Sequence, residues 1–251
     1  SGLSYGYNYD CHVGAKYKEN RLICRSNISL KKFIEYLAEY PLAFQPGTKW
    51  QYSLATDVLA HILEIIYDDS IETILADSIF KPLQMNDTAY FVPDEKFWRL
   101  MPIYGEPDLD RLADLECKKK QLKEIDLDDF YSSNKQKYKA RGGHGLFSTT
   151  EDYSKLCKVI LADLTKNTKQ LISKELLGFA LKNQLPLDQI PIKINGEARK
   201  GYGWNLIGRV KTSDSKILRN SQLGEFGWAG AASTYFWIDP SLKITGTVMT
   251  Q

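Results

Sequence analysis

The hydrophobic period of this 251-residue sequence changes near residue 200. Before that point, apolar residues recur every three or four positions, which predicts helices that begin near residues 30, 55, 71, 151 and 173. Ser29 and Thr150 are the predicted N-caps of the first and fourth of these helices. After it, two segments of strand composition flank the turn Asp239-Pro240 and predict a hairpin, which needs further strands for stability. We therefore predict an α+β fold, with a mostly helical region over 1–200 and strands of a sheet domain over 201–251.

The composition argues against several classes of partner and site. A net charge of +2 is too small to indicate binding to nucleic acid or to an anionic membrane, and no apolar run is long enough to span a membrane. There is no Cys-x-x-Cys pair, and the three histidines show no zinc-site spacing, so we expect no metal and no cofactor. Cys11 and Cys24 can either bridge in an oxidising compartment or remain free thiols. The charged, irregular segment 94–139 predicts a solvated insertion.

Tyr52 lies between a predicted turn and a predicted helix. Pro46-Gly47 favours the turn, and Asp57 lies where the first turn of the next helix favours a negative charge. Four apolar residues of that helix share one face and predict a buried stripe: Leu59, Ile62, Leu63 and Ile66. A phenol held at such a corner can relay a proton, or act as a base where a cation lowers its pKa. The alternative interpretation is a core tyrosine whose hydroxyl is satisfied.

Two serine motifs in the sequence match nucleophile patterns but lack the surroundings that a nucleophile needs. Ser4 matches the Gly-x-Ser-x-Gly pattern, but that motif requires a strand before it and a helix after it, and neither is predicted here. Four Ser-x-x-Lys strings also occur, and such a pair works only where the lysine is desolvated enough to be neutral. The string at Ser29 lies at a predicted helix start, and the string at Ser78 runs into a proline. The strings at Ser132 and Ser213 lie in polar stretches with nothing to bury the lysine.

Two glycine-rich segments could line a site. His144 lies in the first, 141–149, and conformationally special loops often face pockets. The second, 227–232, combines small residues with a strand entry, so a ligand could approach the backbone and an unpaired N–H could stabilise an oxyanion. Its alternative interpretation is a tight strand entry with Trp228 packed over it.

Five stretches together resemble one family, the serine beta-lactamase-like superfamily. It includes class C beta-lactamases, D-alanyl-D-alanine carboxypeptidases and family VIII carboxylesterases. The stretches follow the family order and are distributed over nearly the whole chain: Ser1–Leu3, Phe44–Ser53, Ile79–Thr88, Gly142–Tyr153 and Gly227–Gly230. The resemblance implies an α/β sandwich with an antiparallel sheet, an inserted helical domain and an active site between them. It is also compatible with a periplasmic or other extracytoplasmic location.

The resemblance implies that the nucleophile is missing from these residues. The Ser-x-x-Lys of the family normally precedes its Ser-Gly-Leu stretch, which here is Ser1–Leu3, so we expect an N-terminally truncated fold that is inactive alone. Two hypotheses follow. One is a serine hydrolase that acts through an acyl-enzyme on small carboxylic esters or amides. The other is a non-catalytic relative that serves as a binding or scaffold protein. The oligomeric state stays open.

The resemblance also implies roles for individual residues. Tyr52 matches the tyrosine of the family's Tyr-x-Asn, with Leu54 in the asparagine position. Trp228 and Gly230 match the Trp-x-Gly variant, so the N–H of Ala231 would form half of an oxyanion hole. An apolar tryptophan removes the cation that would anchor a substrate carboxylate, which favours the esterase branch over penicillins and D-Ala peptides. Trp228 and Leu54 would then line an apolar acyl pocket.

Overall fold

A computed structural model describes most of the chain in two compact units. The described residues are 1–6, 8, 11–25, 27–105, 123–124, 139–194, 196–213, 221–230 and 232–250. The helical unit comprises 1–82 and 87–147, and the sheet unit comprises 83–86 and 148–250. Most of the predicted insertion lies outside the described residues, as do Ala231 and the Ser132 string.

The helical unit contains four α-helices and several short elements among its described residues. The helices are α1 (His12–Glu19), α2 (Leu30–Ala38), α3 (Ala55–Tyr67) and α4 (Ile71–Leu75), which continues as a π-helix over Ala76–Phe80. Two 3-10 helices cover Leu22–Cys24 and Asp94–Arg99, and β1 (Tyr104–Gly105) pairs antiparallel with β2 (Lys123–Glu124). Ser29 caps α2, since its Oγ accepts a hydrogen bond from the N–H of Lys32 at 3.2 Å. This string is therefore a helix cap, and the exposed lysine pairs with Glu35.

The core of the helical unit forms around α2 rather than around the predicted face of α3. Its fully buried side chains include Phe33, Leu54 and Tyr90. The predicted buried stripe of α3 is wrong for three of its four members, because Leu59, Ile62 and Ile66 are exposed by 55%, 45% and 69%, and only Leu63 packs against the core.

The face of α3 that is buried carries small and polar residues instead. Asp57 and Ala60 are its fully buried positions. A Cβ on Gly142 would lie 2.1 Å from the carbonyl oxygen of Thr56 and 2.7 Å from Cβ of Ala60. Because the backbone at Gly142 approaches α3 this closely, the contacting face of the helix has room only for small side chains. The large apolar side chains therefore lie on the other faces of α3.

The sheet unit is an antiparallel meander with helices packed on it. Its strands lie in chain order: β5 (Tyr202–Trp204), β6 (Arg209–Lys211), β7 (Phe226–Ala229), β8 (Thr234–Asp239) and β9 (Ile244–Met249). The helices are α5 (Thr150–Lys166) and α6 (Lys174–Ala180), with a 3-10 helix over Leu187–Gln189 and a small pair, β3 (Lys193–Ile194) with β4 (Glu197–Ala198). The predicted cap of α5 is corrected by one residue, because Thr149 and not Thr150 accepts the N–H of Asp152.

The predicted hairpin is present as β8 and β9. Asp239 closes its turn by accepting a hydrogen bond from the N–H of Leu242 at 2.9 Å. Trp237 pairs with Gly246 across the two strands, and a Cβ at that glycine would lie 2.1 Å from the indole ring. The mixed helices and antiparallel sheet confirm the predicted α+β class. In the part of the chain that the structure describes, no helix has the length and apolarity of a membrane span.

Candidate active site

Tyr52 is held from several sides within the helical unit. Its carbonyl accepts a hydrogen bond from Nδ2 of Asn8 at 3.1 Å, and its ring packs on the ring of Tyr5 with centroids 5.2 Å apart. The predicted turn before it is present, since Gly47 has φ +84. The phenol is half-buried, so a rigid corner presents a partly accessible hydroxyl-bearing ring.

The residue after this corner anchors the chain to the N-terminal segment. Leu54 is 1% exposed, belongs to the core, and donates its N–H to the carbonyl of Ser4 at 3.2 Å. Ser4 is itself fully buried, and its Oγ accepts hydrogen bonds from Asn8 at 3.0 Å and from Gln51 at 2.7 Å. The next helix begins only at His12, so Ser4 is a structural hydroxyl and its local context does not match a nucleophile elbow.

Two buried residues with ionisable side chains, Arg141 and Asp57, fix the loop that carries His144. Arg141 is 1% exposed, and its guanidinium donates to the carbonyls of Arg25 at 2.5 Å and Ile28 at 3.0 Å. Asp57 is fully buried, and its Oδ1 accepts the N–H groups of the next two loop residues, Gly142 at 3.0 Å and Gly143 at 3.3 Å. The loop backbone therefore has a defined conformation, imposed by hydrogen bonds between residues more than 80 positions apart.

The electrostatics of this loop follow from burial. Desolvation lowers the pKa of His144 to about 4, assisted by the guanidinium of Arg141, so the imidazole is neutral at neutral pH. Desolvation also raises the pKa of Asp57, although the N–H groups of the two glycines and Arg141 oppose that shift. A neutral imidazole can accept or donate a hydrogen bond toward a ligand without carrying a charge.

The predicted site residues of the sheet unit lie at the end of β7. Trp228 packs edge-on against Trp204 with ring centroids 4.6 Å apart. Gly230 donates its N–H to the carbonyl of Thr234 at 2.7 Å, and a Cβ at Gly230 would lie 2.2 Å from Oγ1 of that threonine. Ala231, the predicted oxyanion donor, lies outside the described residues.

The structure thus groups the predicted residues by unit. Tyr52, Leu54 and His144 belong to the helical unit, whereas Trp228 and Gly230 belong to the sheet unit. Sequence reasoning did not identify the structural role of Asp57, which was assigned only to a helix dipole. The available signal was an acidic residue on the small-residue side of a helix, beside a glycine pair whose N–H groups need an acceptor.

Two of the four cysteines have side chains among the described residues. Cys11 and Cys157 are free thiols, and the side chain of Cys24 lies outside the described residues. Within the described ranges, no group of three or more His, Cys, Asp or Glu side chains is arranged to hold a metal ion.

Comparisons with known proteins agree on one family. The Beta-lactamase family model matches residues 1–251. The chain is 28% identical to Protein Rv1367c of Mycobacterium tuberculosis over 248 residues, which cover 97% of the chain and 58% of that protein. It is 22% identical to Esterase EstB of Burkholderia gladioli over 260 residues, which cover 98% of the chain and 62% of the esterase. The chain therefore spans about three fifths of the length of these relatives.

Solved structures share the fold at low sequence identity. EstCE1, a hydrolase with promiscuous acyltransferase activity, superposes with a TM-score of 0.75 at 18% identity and covers 98% of this chain and 63% of its own. Simvastatin synthase (LovD) from Aspergillus terreus superposes with a TM-score of 0.69 at 17% identity. The superposition covers 98% of this chain and 60% of the synthase chain. The full-length family match and the shared fold establish that this chain belongs to the beta-lactamase family, within the serine beta-lactamase-like superfamily.

Proposed function

We propose that this chain forms most of a serine hydrolase that acts through an acyl-enzyme on small carboxylic esters or amides. The observation that carries the proposal is the Tyr52 corner, where Asn8 and Tyr5 hold the residue that matches the tyrosine of the family motif. Family membership and similarity to Esterase EstB support a hydrolase of the esterase type.

In this proposal the nucleophile is a Ser-x-x-Lys serine outside these 251 residues. Two of the strings inside the chain have other roles or surroundings, because Ser29 caps α2 and Lys81 pairs with Asp77 on an exposed helix end. The chain matches relatives that are longer by about two fifths of their own length, which leaves room for the missing pair.

Tyr52 assists proton transfer between the nucleophile, the substrate and the leaving group. Its fixed backbone and its packing against the Tyr5 ring reduce the conformational freedom of the phenol. A positioned acid–base group contributes about 10²–10⁴-fold to a rate. In this proposal the neutral imidazole of His144 offers a hydrogen bond to the substrate.

The N–H of Ala231 holds the oxyanion in this proposal. In the sheet unit, Trp228 supplies the apolar side of the acyl pocket. A pocket of this composition selects uncharged acyl groups over the carboxylates that penicillins carry.

The test combines a covalent probe with an ester assay. The 251-residue chain and an N-terminally extended protein are treated with a fluorophosphonate probe and assayed with p-nitrophenyl esters of short acids. We expect labelling and hydrolysis only in the extended protein, and a loss of about 10²–10⁴-fold in turnover for Tyr52→Phe. A wild-type rate in that variant would remove Tyr52 from the mechanism. If a folded extended protein is neither labelled nor active, the chain is instead part of a non-catalytic binding or scaffold protein.

A further inference from the structure

Asp57 is a buried acid that leaves one of its oxygens unused. The residue is fully buried in α3, and Oδ1 accepts both glycine N–H groups of the loop. Oδ2 has no hydrogen-bond partner among the described residues. A buried carboxylate oxygen without a donor reduces stability, and in natural proteins such a group usually has a specific reason.

The unused oxygen lies in the neighbourhood of the Tyr5 hydroxyl. A Cβ built on Gly143 would lie 3.0 Å from Oδ2 of Asp57 and 3.0 Å from the hydroxyl of Tyr5, so both oxygens border the same small volume. The Tyr5 ring in turn packs on the ring of Tyr52 at 5.2 Å. Asp57, Gly143, Tyr5 and Tyr52 are therefore successive neighbours, so a shift of the carboxylate can reach the Tyr52 ring through Gly143 and Tyr5.

A second buried aspartate shows what a purely structural arrangement looks like. Asp163 is also fully buried, but Oδ1 accepts from Thr168 and Gln170, and Oδ2 accepts from the N–H groups of Leu171 and Ile172. Both of its oxygens contribute to the stability of a loop. Asp57 accepts hydrogen bonds through only one of its two oxygens, so it stabilises its loop less than Asp163 does. This difference indicates that the position of Asp57 serves the site and not the fold alone.

We propose that Asp57 is a positioning residue for Tyr52, an inference that rests on the proposed hydrolase function. Its carboxylate holds the backbone of Gly142 and Gly143 against α3, and this backbone holds Tyr5, which sets the orientation of the Tyr52 ring. Asp57 does not contact the reacting atoms. The charged and titratable groups that face it are the guanidinium of Arg141 and the hydroxyls of Tyr5 and Tyr90.

The test places a reporter on the phenol itself. 3-Fluorotyrosine is incorporated at position 52 of the complete gene product, and the ¹⁹F resonance is recorded for the parent protein, Asp57→Ala and Asp57→Asn. Asp163→Ala is the matched control, because it removes a buried carboxylate that also accepts backbone N–H groups but lies in the other unit. Kinetic constants for p-nitrophenyl ester hydrolysis and melting temperatures are measured on the same set.

Asp57→Ala should shift or broaden the ¹⁹F resonance and lower kcat by about 10–100-fold, with KM changed by less than about twofold, because a small misplacement of a positioned group affects the transition state most. Asp57→Asn should restore both, since its amide oxygen still accepts the two N–H groups. Asp163→Ala should lower the melting temperature and leave the resonance and kcat unchanged.

The outcomes separate this inference from the proposed function. A resonance that moves in a protein without esterase activity supports the positioning role and refutes the hydrolase. An unmoved resonance and an unchanged kcat in folded Asp57→Ala overturn the positioning role while the hydrolase stands. If Asp57→Ala does not fold, Gly143→Ala decides, because its new Cβ presses on Asp57 and Tyr5 at 3.0 Å each; an unmoved resonance there also overturns the inference.

Discussion

Replacement of Asp163 by asparagine should destabilise the sheet unit in a pH-dependent manner. Burial alone would raise the pKa of this carboxyl, but the hydrogen bonds from Thr168 and from the N–H groups of Gln170, Ile172 and Leu171 lower it to about 2. The ordinary value is 3.8. At about 1.36 kcal/mol for each pKa unit, this difference corresponds to a stabilisation of at most roughly 2.5 kcal/mol, because solvent screening reduces it.

The sign of the pH dependence follows from the lowered pKa. The stabilisation is fully present above the unfolded pKa of 3.8 and is lost as the pH falls toward about 2, where the folded carboxyl also binds a proton. Asparagine has no charge at any pH, and its NH₂ group would face backbone donors. We expect Asp163→Asn to cost about 2–4 kcal/mol at pH 7 and much less near pH 2.

Urea denaturation followed by circular dichroism measures this difference at pH 7, 5 and 3. The exposed Asp188 provides the matched control, and Asp188→Asn should change the free energy of unfolding by less than about 0.5 kcal/mol. The reasoning fails if the cost of Asp163→Asn is the same at all three pH values, or if it is no larger than that of the control.

Three other predictions concern single positions. Gly246→Ala should destabilise the protein by about 1–3 kcal/mol, because the new Cβ would meet the indole of Trp237 at 2.1 Å. Gly178→Ala in α6 should instead stabilise it by about 0.5–1 kcal/mol, because nothing lies within 4 Å of the new Cβ. Thermal melts of the two variants test these opposite signs. Arg141→Met should cost about 2–4 kcal/mol in urea denaturation, since buried carbonyls lose their donors, and a cost below about 1 kcal/mol would refute this. The pKa of His144 is lowered to about 4, so the unfolded chain binds a proton at a higher pH than the folded chain does. The free energy of unfolding should therefore fall as the pH is lowered from about 6.5 to 4. His144→Gln should flatten this dependence on pH, and an unchanged dependence would contradict the assignment.

The elements that the sequence predicted well depend on neighbouring residues. The cap of α2 at Ser29 and the hairpin around Asp239 arise from side chains that act within a few positions of themselves, so a local pattern is sufficient. The buried face of α3 was wrong because a distant glycine determines it. Gly142 requires a narrow partner, and hydrophobic periodicity contains no information about which backbone will approach a helix.

The candidate site shows the same division between local and distant information. The turn before Tyr52 was readable from Pro46-Gly47, and the structure confirms it. The hydrogen bonds of Asp57 were not readable, because its partners are 85 and 86 positions away. The predicted roles of Ala231 and of the segment 94–139 stay predictions, since they fall wholly or mostly outside the described residues.

The order of the strands in the sheet has a consequence for how the chain acquires its structure. Each strand from β5 to β9 pairs with the strand next to it in the sequence, so no long loop must close before pairing begins. Local pairing of this kind lowers the contact order and speeds assembly. During synthesis the meander can therefore form by adding strands to a single hairpin once β8 and β9 leave the ribosome. The helices α1 to α4 are synthesised earlier and can pack around their own core before that point.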